Sequence, residues 1–121
     1  MIVYIIGHKG WIAGLFIKEL EKSHSVVYGD YRAESDEILQ DILDKNATHV
    51  LYGAGRTSGG KYTNIDYLED PSTFKENIND NLYAPCVLGL LARKYDIHYT
   101  YIGTGCIFNN NTNEDNCYKY K

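Results

Sequence analysis

The sequence predicts an α/β fold, a doubly wound parallel sheet of about four strands. Three observations predict it. Ile2-Val3-Tyr4-Ile5-Ile6 is a short apolar run closed by Gly7, the pattern of a parallel strand buried on both faces. Strand and helix patterns then alternate as far as Tyr52. Glycine turns close three of the strand patterns, at Gly7 to Gly10, Gly53-Ala54-Gly55 and Gly103-Thr104-Gly105, and so fall on one edge of such a sheet.

Behind the first turn a helix is expected over 11–22, with Ile12, Leu15, Phe16 and Leu20 on one face and Lys18, Glu19 and Lys22 on another. Ser25 to Gly29 reads as the second strand, ending at Asp30-Tyr31-Arg32. A second helix over 34–46 spaces Ile38, Leu39, Ile42 and Leu43 for one buried stripe, and Thr48 to Tyr52 is the third strand. Gly53 to Asp70 is a long polar connection, of the kind that is functional or disordered in compact domains. Pro71-Ser72-Thr73 starts a helix carrying Phe74, Ile78 and Leu82, which Pro85 should kink or divide before Val87, Leu88 and Leu91 continue it. Ile97 to Ile102 is the fourth strand. After Phe108 the chain is Asn-rich and aperiodic, so 109–121 is expected to be a loose polar tail behind a Rossmann-like domain of 1–108. No further strand is supported between the second helix and Thr48, which leaves a small, truncated sheet with an edge to cover.

Composition narrows the function classes. The 121 residues suit one domain with a real core. A net charge of −4 gives no basic footprint, which argues against nucleic acid or an anionic membrane as a partner. Three cysteines without metal-ligand spacing favour free thiols in a reducing compartment. The first apolar run is too short for a signal sequence, and no stretch approaches membrane-spanning length, so a cytoplasmic protein is expected. The twelve tyrosines read as replacements for Phe at half-buried sites. The four histidines show no ligand spacing and read as structural or solvated, and no metal site is expected.

The opening turn carries the first chemical signal. Gly7, Gly10 and Ala13 recur every third residue with Gly14 beside them, between a strand and a helix. Glycines let the backbone approach a phosphate, and the new helix offers unpaired N–H groups and a positive dipole end. Asp30, sixteen residues after Gly14, suits the adenosine ribose hydroxyls and favours NAD. Arg32 suits a 2′-phosphate and favours NADP, and a turn Asp with a surface Arg is the plain alternative. Gly53, Ala54 and Gly55 should pass beside a ligand lying across the carboxyl ends of the strands. Thr104 and Cys106, two apart on an extended segment, point to one side. A hydroxyl there can bind a carbonyl and a thiol can exchange a proton, unless the pair is only a packed strand end with an inert cysteine.

Five ordered blocks carry a more specific likeness: Gly7 to Ile12, Gly53 to Thr57, Asn64-Ile65-Asp66-Tyr67-Leu68-Glu69, Asn81, and Thr104-Gly105-Cys106-Ile107-Phe108. Together they resemble an extended short-chain dehydrogenase/reductase, especially the dTDP-4-dehydrorhamnose reductases and nucleotide-rhamnose synthase epimerase-reductases. The resemblance implies that Gly7, Lys9, Gly10, Trp11 and Ile12 cradle a pyrophosphate. It implies that Arg32 tilts the cofactor to NADP(H), with Asp30 departing from the pattern and weakening that preference. It places Ala54 and Gly55 beside the nicotinamide ribose and makes Asn81 a support of the active site. Thr104 matches the Ser/Thr of the catalytic triad, and Cys106 the acid/base cysteine of epimerising members. The substrate would be a nucleotide-linked 4-keto-6-deoxy sugar.

One element of that pattern is missing from the sequence, the Tyr-x-x-x-Lys that protonates the carbonyl. Tyr118 follows Thr104 by only fourteen residues, with Lys121 three further instead of four, so they would not share the paired helical positions. The resemblance leaves the family's C-terminal sugar-nucleotide domain unmatched as well, so that domain is expected to be absent. Two readings stay open: the cofactor-binding part of a reductase/epimerase, inactive by itself, or a naturally non-catalytic NAD(P)-binding regulatory or scaffolding module. Assembly into a homo-oligomer whose other subunit completes the site is a further expectation.

Overall fold

The computed structural model describes residues 1–56 and 58–103. Four parallel strands form one sheet: β1 (Ile2–Ile6), β2 (Ser25–Val27), β3 (His49–Tyr52) and β4 (His98–Tyr101). Their order is β2-β1-β3-β4, with Val3 opposite Val26 on one side and His49 on the other, and Leu51 opposite Thr100. The chain leaves β1 toward one edge and returns past it to build the other, which is the doubly wound arrangement the sequence predicts. The expected tail over 109–121 lies outside the described residues.

The pleat of β1 explains the two layers. Val3 and Ile5 point to one face and Tyr4 and Ile6 to the other, and all four are buried. Val3 and Ile5 join Ala13 and Leu51 beneath α1 (Trp11–Leu20). Tyr4 and Ile6 join Ile38 and Ile42 of α2 (Asp36–Asp44), Val50, Tyr52, and Ala84 and Leu88 of α4 (Ala84–Lys94). Full burial of an aliphatic side chain of this size stabilises by about 2 kcal/mol, so β1 is the strand the domain can least spare.

Two helices face differently from the sequence expectation. On α1 the residues turned to the sheet are Ala13, Ile17 and Leu20, whereas Ile12, Leu15 and Phe16 are exposed. The glycine turn sets the helix phase so that its smallest side chain, Ala13, meets the end of β3. A Cβ placed on Gly53 would lie only 3.5 Å from that of Ala13. Similarly Phe74, Ile78 and Leu82 face outward, and the buried positions behind them are Ala84, Leu88 and Ala92.

The break expected at Pro85 falls earlier. A short helix α3 (Phe74–Ile78) runs into a π-helical turn over Asn79–Tyr83 and then into α4. Pro85 sits in the first turn of α4, where a missing N–H is tolerated best, and the wide turn ahead of it absorbs the misfit. The long connection after β3 is partly ordered by 3₁₀ turns over Ile65–Leu68 and Pro71–Thr73. Asp70 caps the second of these through Ser72 N–H at 2.7 Å and also accepts from the Tyr62 hydroxyl.

The tyrosines are more than stand-ins for Phe. Buried Tyr4 donates to Asp41 at 2.5 Å, and Asp41 is held in turn by Lys45 at 2.6 Å, which ties β1 to α2. Tyr52 donates to the Asp80 carbonyl at 3.1 Å and Tyr99 to the Pro85 carbonyl at 2.9 Å, tying β3 and β4 to the π turn and α4. Burial pushes all three phenols above their ordinary pKa, with the neighbouring Asp41 adding to the effect at Tyr4 and Asp80 at Tyr52. Tyr4→Phe should keep the fold and lower unfolding stability by about 1 kcal/mol, measured by urea denaturation, because Asp41 keeps Lys45 as a partner.

Candidate functional site

The carboxyl ends of β1, β2 and β3 meet at one cleft of about 480 Å³. It lies where the chain order reverses between β1 and β3, the position at which open α/β sheets bind ligands. Three loops supply its walls: Gly7 to Gly10 after β1, Gly29 to Glu34 after β2, and Gly53 to Arg56 after β3, with Asp80 reaching in from the π turn.

The first loop works because Gly7 has no side chain. Its φ of +82° is costly for other residues, and an added Cβ would stand 2.7 Å from the Ala54 nitrogen. The β1 and β3 turns can therefore touch and form a continuous floor. Gly10 N–H donates to the Gly7 carbonyl at 2.8 Å and closes the turn. Gly10 is also the N-cap of α1 and contributes no side-chain cap, so among the described residues no side-chain bond occupies the first N–H groups of that helix. An anion such as a pyrophosphate fits this end of α1 on charge and on donor supply.

The second wall is charged. Lys9 Nζ lies 2.7 Å from Asp30, and the His8 ring stacks on Tyr28 with its centre 4.4 Å away and reaches within 3.6 Å of the same carboxylate. The hydrogen bond and charge of Lys9 hold Asp30 below the usual carboxylate pKa. Arg32 Nε is paired with Glu34, and its Nη2 lies 3.3 Å from Asp80. Burial works against a charged Glu34, but its hydrogen bond with Arg32 prevails and its pKa is lowered. Asp80 also holds Arg56 at 3.1 Å, so one carboxylate links the β2 and β3 loops across the cleft.

Asn81 fixes the third wall. Its side-chain oxygen accepts from Arg56 N–H at 2.9 Å, and its nitrogen donates to the Arg56 carbonyl at 2.8 Å and to Asn77 at 2.9 Å. This pairs the side-chain amide with the N–H and the C=O of one residue, as a neighbouring strand would.

Of the residues singled out in the sequence, the structure brings Gly7, Lys9, Gly10, Asp30, Arg32, Gly53, Ala54 and Gly55 together around the cleft. Trp11 and Ile12 do not line it. Trp11 is 81% exposed, and only their backbone N–H groups at the start of α1 are near enough in the chain to serve the turn. Asn81 acts one layer back, through the backbone of Arg56. Thr104 and Cys106 lie outside the described residues. Glu34, Arg56 and Asp80 are wall residues that sequence reasoning passed over, although Arg56 stands inside the Gly53 to Thr57 block and Asp80 beside Asn81. No local spacing connects Arg32 with Asp80, 48 positions away.

Asn81→Ala should leave the sheet intact, lower stability by about 1–3 kcal/mol and accelerate amide exchange at Arg56, measured by hydrogen exchange, since the part-buried N–H and C=O of Arg56 both lose their side-chain partner. Gly7→Ala should cost more, about 2–4 kcal/mol by urea denaturation, because strain at positive φ adds to a backbone clash with Ala54.

No family model matches the chain. It is 41% identical over 111 residues to an uncharacterized protein of Acanthamoeba polyphaga mimivirus, an alignment covering 90% of this chain and 38% of the relative. That relative bears the designation L780, as does a solved mimivirus UDP-rhamnose synthase, which superposes with a TM-score of 0.85 at 40% identity, over 94% of this chain and 40% of the synthase. A dTDP-4-dehydrorhamnose reductase from Clostridium acetobutylicum gives 0.75 at 19% identity, covering 94% of this chain and 40% of the reductase. A hypothetical dTDP-4-dehydrorhamnose reductase from Sulfolobus tokodaii gives 0.71 at 17%, covering 95% of this chain and 44% of that one. These last two establish the fold alone. The chain spans about 40% of the length of the proteins it matches. The resemblance carried by the five sequence blocks thus meets structural neighbours of the rhamnose-forming type.

Proposed function

We propose that the chain is the NADP(H)-binding part of a nucleotide-sugar reductase/epimerase, acting in the reduction of a nucleotide-linked 4-keto-6-deoxy sugar of the rhamnose-forming type. One observation carries the reading. The uncapped start of α1, the β2-end pair Asp30 and Arg32, and the Gly53-Ala54-Gly55 turn line one cleft at the reversal point of the sheet. The likeness to a UDP-rhamnose synthase at 40% identity supports the substrate class.

The roles follow from position. The first-turn N–H groups of α1, with Lys9 beside them, would hold a pyrophosphate. Arg32 would meet an adenosine 2′-phosphate and favour NADP(H), whereas Asp30 in the same wall suits the hydroxyls of NAD(H). A dinucleotide, when bound, supplies hydride chemistry. Thr104 would then orient the keto oxygen, and Cys106 would exchange a proton at the neighbouring carbon during epimerisation. Without a Tyr-x-x-x-Lys in its sequence, the 121-residue chain should bind cofactor and turn nothing over.

Isothermal titration of the 121-residue chain with NADPH and with NADH tests the proposal. Saturable binding of NADPH is expected, weakened by Arg32→Gln more for NADPH than for NADH. Absence of binding for both dinucleotides would sink it.

A further inference from the structure

We propose that Glu34 is a cofactor-specificity residue that restrains Arg32 and limits the preference for a 2′-phosphorylated dinucleotide. The inference rests on the cofactor-binding reading given above.

Among the described residues the charges lining the cleft are balanced. Lys9, Arg32 and Arg56 are the cations, and Asp30, Glu34 and Asp80 the carboxylates. Every cation already has a carboxylate partner: Lys9 has Asp30, Arg56 has Asp80, and Arg32 has both Glu34 and Asp80. A 2′-phosphate brings up to two more negative charges into this wall and, among the described residues, meets no surplus arginine or lysine.

Geometry makes Glu34 the competitor. A guanidinium grips phosphate best through two adjacent N–H groups. On Arg32 the Nε side is taken by Glu34 and Nη2 by Asp80. Gripping a phosphate along that edge means giving up Glu34, and gripping it from the outer edge uses a guanidinium whose charge Glu34 already offsets. Both routes weaken the phosphate contact and leave a ribose hydroxyl unaffected. Asp80 is a poorer candidate for the same part, because it also carries Arg56 and joins two loops. Glu34 contacts Arg32 from only two residues away, and its other side-chain contact, with Asn79, is a lesser one that holds no second cation.

The test is a double-mutant cycle on the 121-residue chain, reading the dissociation constants of NADPH and NADH by titration. Glu34→Gln should tighten NADPH binding about threefold to tenfold, the range of one exposed to half-exposed ion pair, and leave NADH within about twofold. In an Arg32→Gln background the same change should do nothing for NADPH. Thermal melts of each variant establish that it is folded, and Glu34→Ala serves as a second variant should the glutamine rebuild the contact. Unchanged or weaker NADPH binding in folded Glu34 variants would overturn the inference and leave the proposed function standing, as would an equal gain for NADH or a gain that persists without Arg32. Failure of the unmutated chain to bind either dinucleotide would overturn the proposed function and this inference with it.

Discussion

The structure depends on one close approach, that of the Gly7 turn to the Gly53-Ala54 turn. Strands β1 and β3 are hydrogen-bonded neighbours, and their turns abut only because Gly7 takes a positive φ and has no Cβ to strike Ala54. The consequences run outward from that contact. It sets where α1 starts, and hence which side of α1 meets the sheet. It brings Ala13 down onto Gly53 and leaves the uncapped end of α1 beside the β3 loop. A larger residue at Gly7 would separate the two loops that form the floor of the cleft.

A second level of order is polar. The β-strand ends and the loops beyond them are held to the helices by side-chain bonds to backbone and carboxylate: Tyr4 to Asp41, Tyr52 to the Asp80 carbonyl, Asn81 to Arg56. The π turn over Asn79–Tyr83 is central to this, because it presents Asp80 and Asn81 together toward the β3 loop. Asp80 then reaches two arginines, and Asn81 holds the peptide of one of them. The cleft is therefore shaped by a helical irregularity as much as by its own loops.

The balanced charge of that cleft bears on its chemistry. A wall with a free arginine would favour phosphate strongly, and a wall with a free aspartate would favour ribose hydroxyls. Here Asp30 is tied to Lys9 and Arg32 to Glu34, so each recognition group already has a partner within the protein. Exchange of one ionic partner for another changes affinity modestly, since the solvent screens both states.

The sequence by itself determined the strand-helix alternation, the parallel sheet and the edge on which the glycine turns gather. Apolar runs, glycine spacing and helix periodicity are local and survive without a partner. It also placed eight of the cleft residues, since strand-end positions follow from element boundaries. Only the tertiary structure decided which faces of α1 and of the segment from Phe74 to Lys94 are buried, because apolar residues lie on more than one side of each. It alone revealed the π turn ahead of Pro85 and the pairing of Arg32 with Asp80 across 48 residues. A salt bridge between distant loops leaves no periodicity to read. Its existence depends on how the β2 loop and the π turn pack against the end of the sheet.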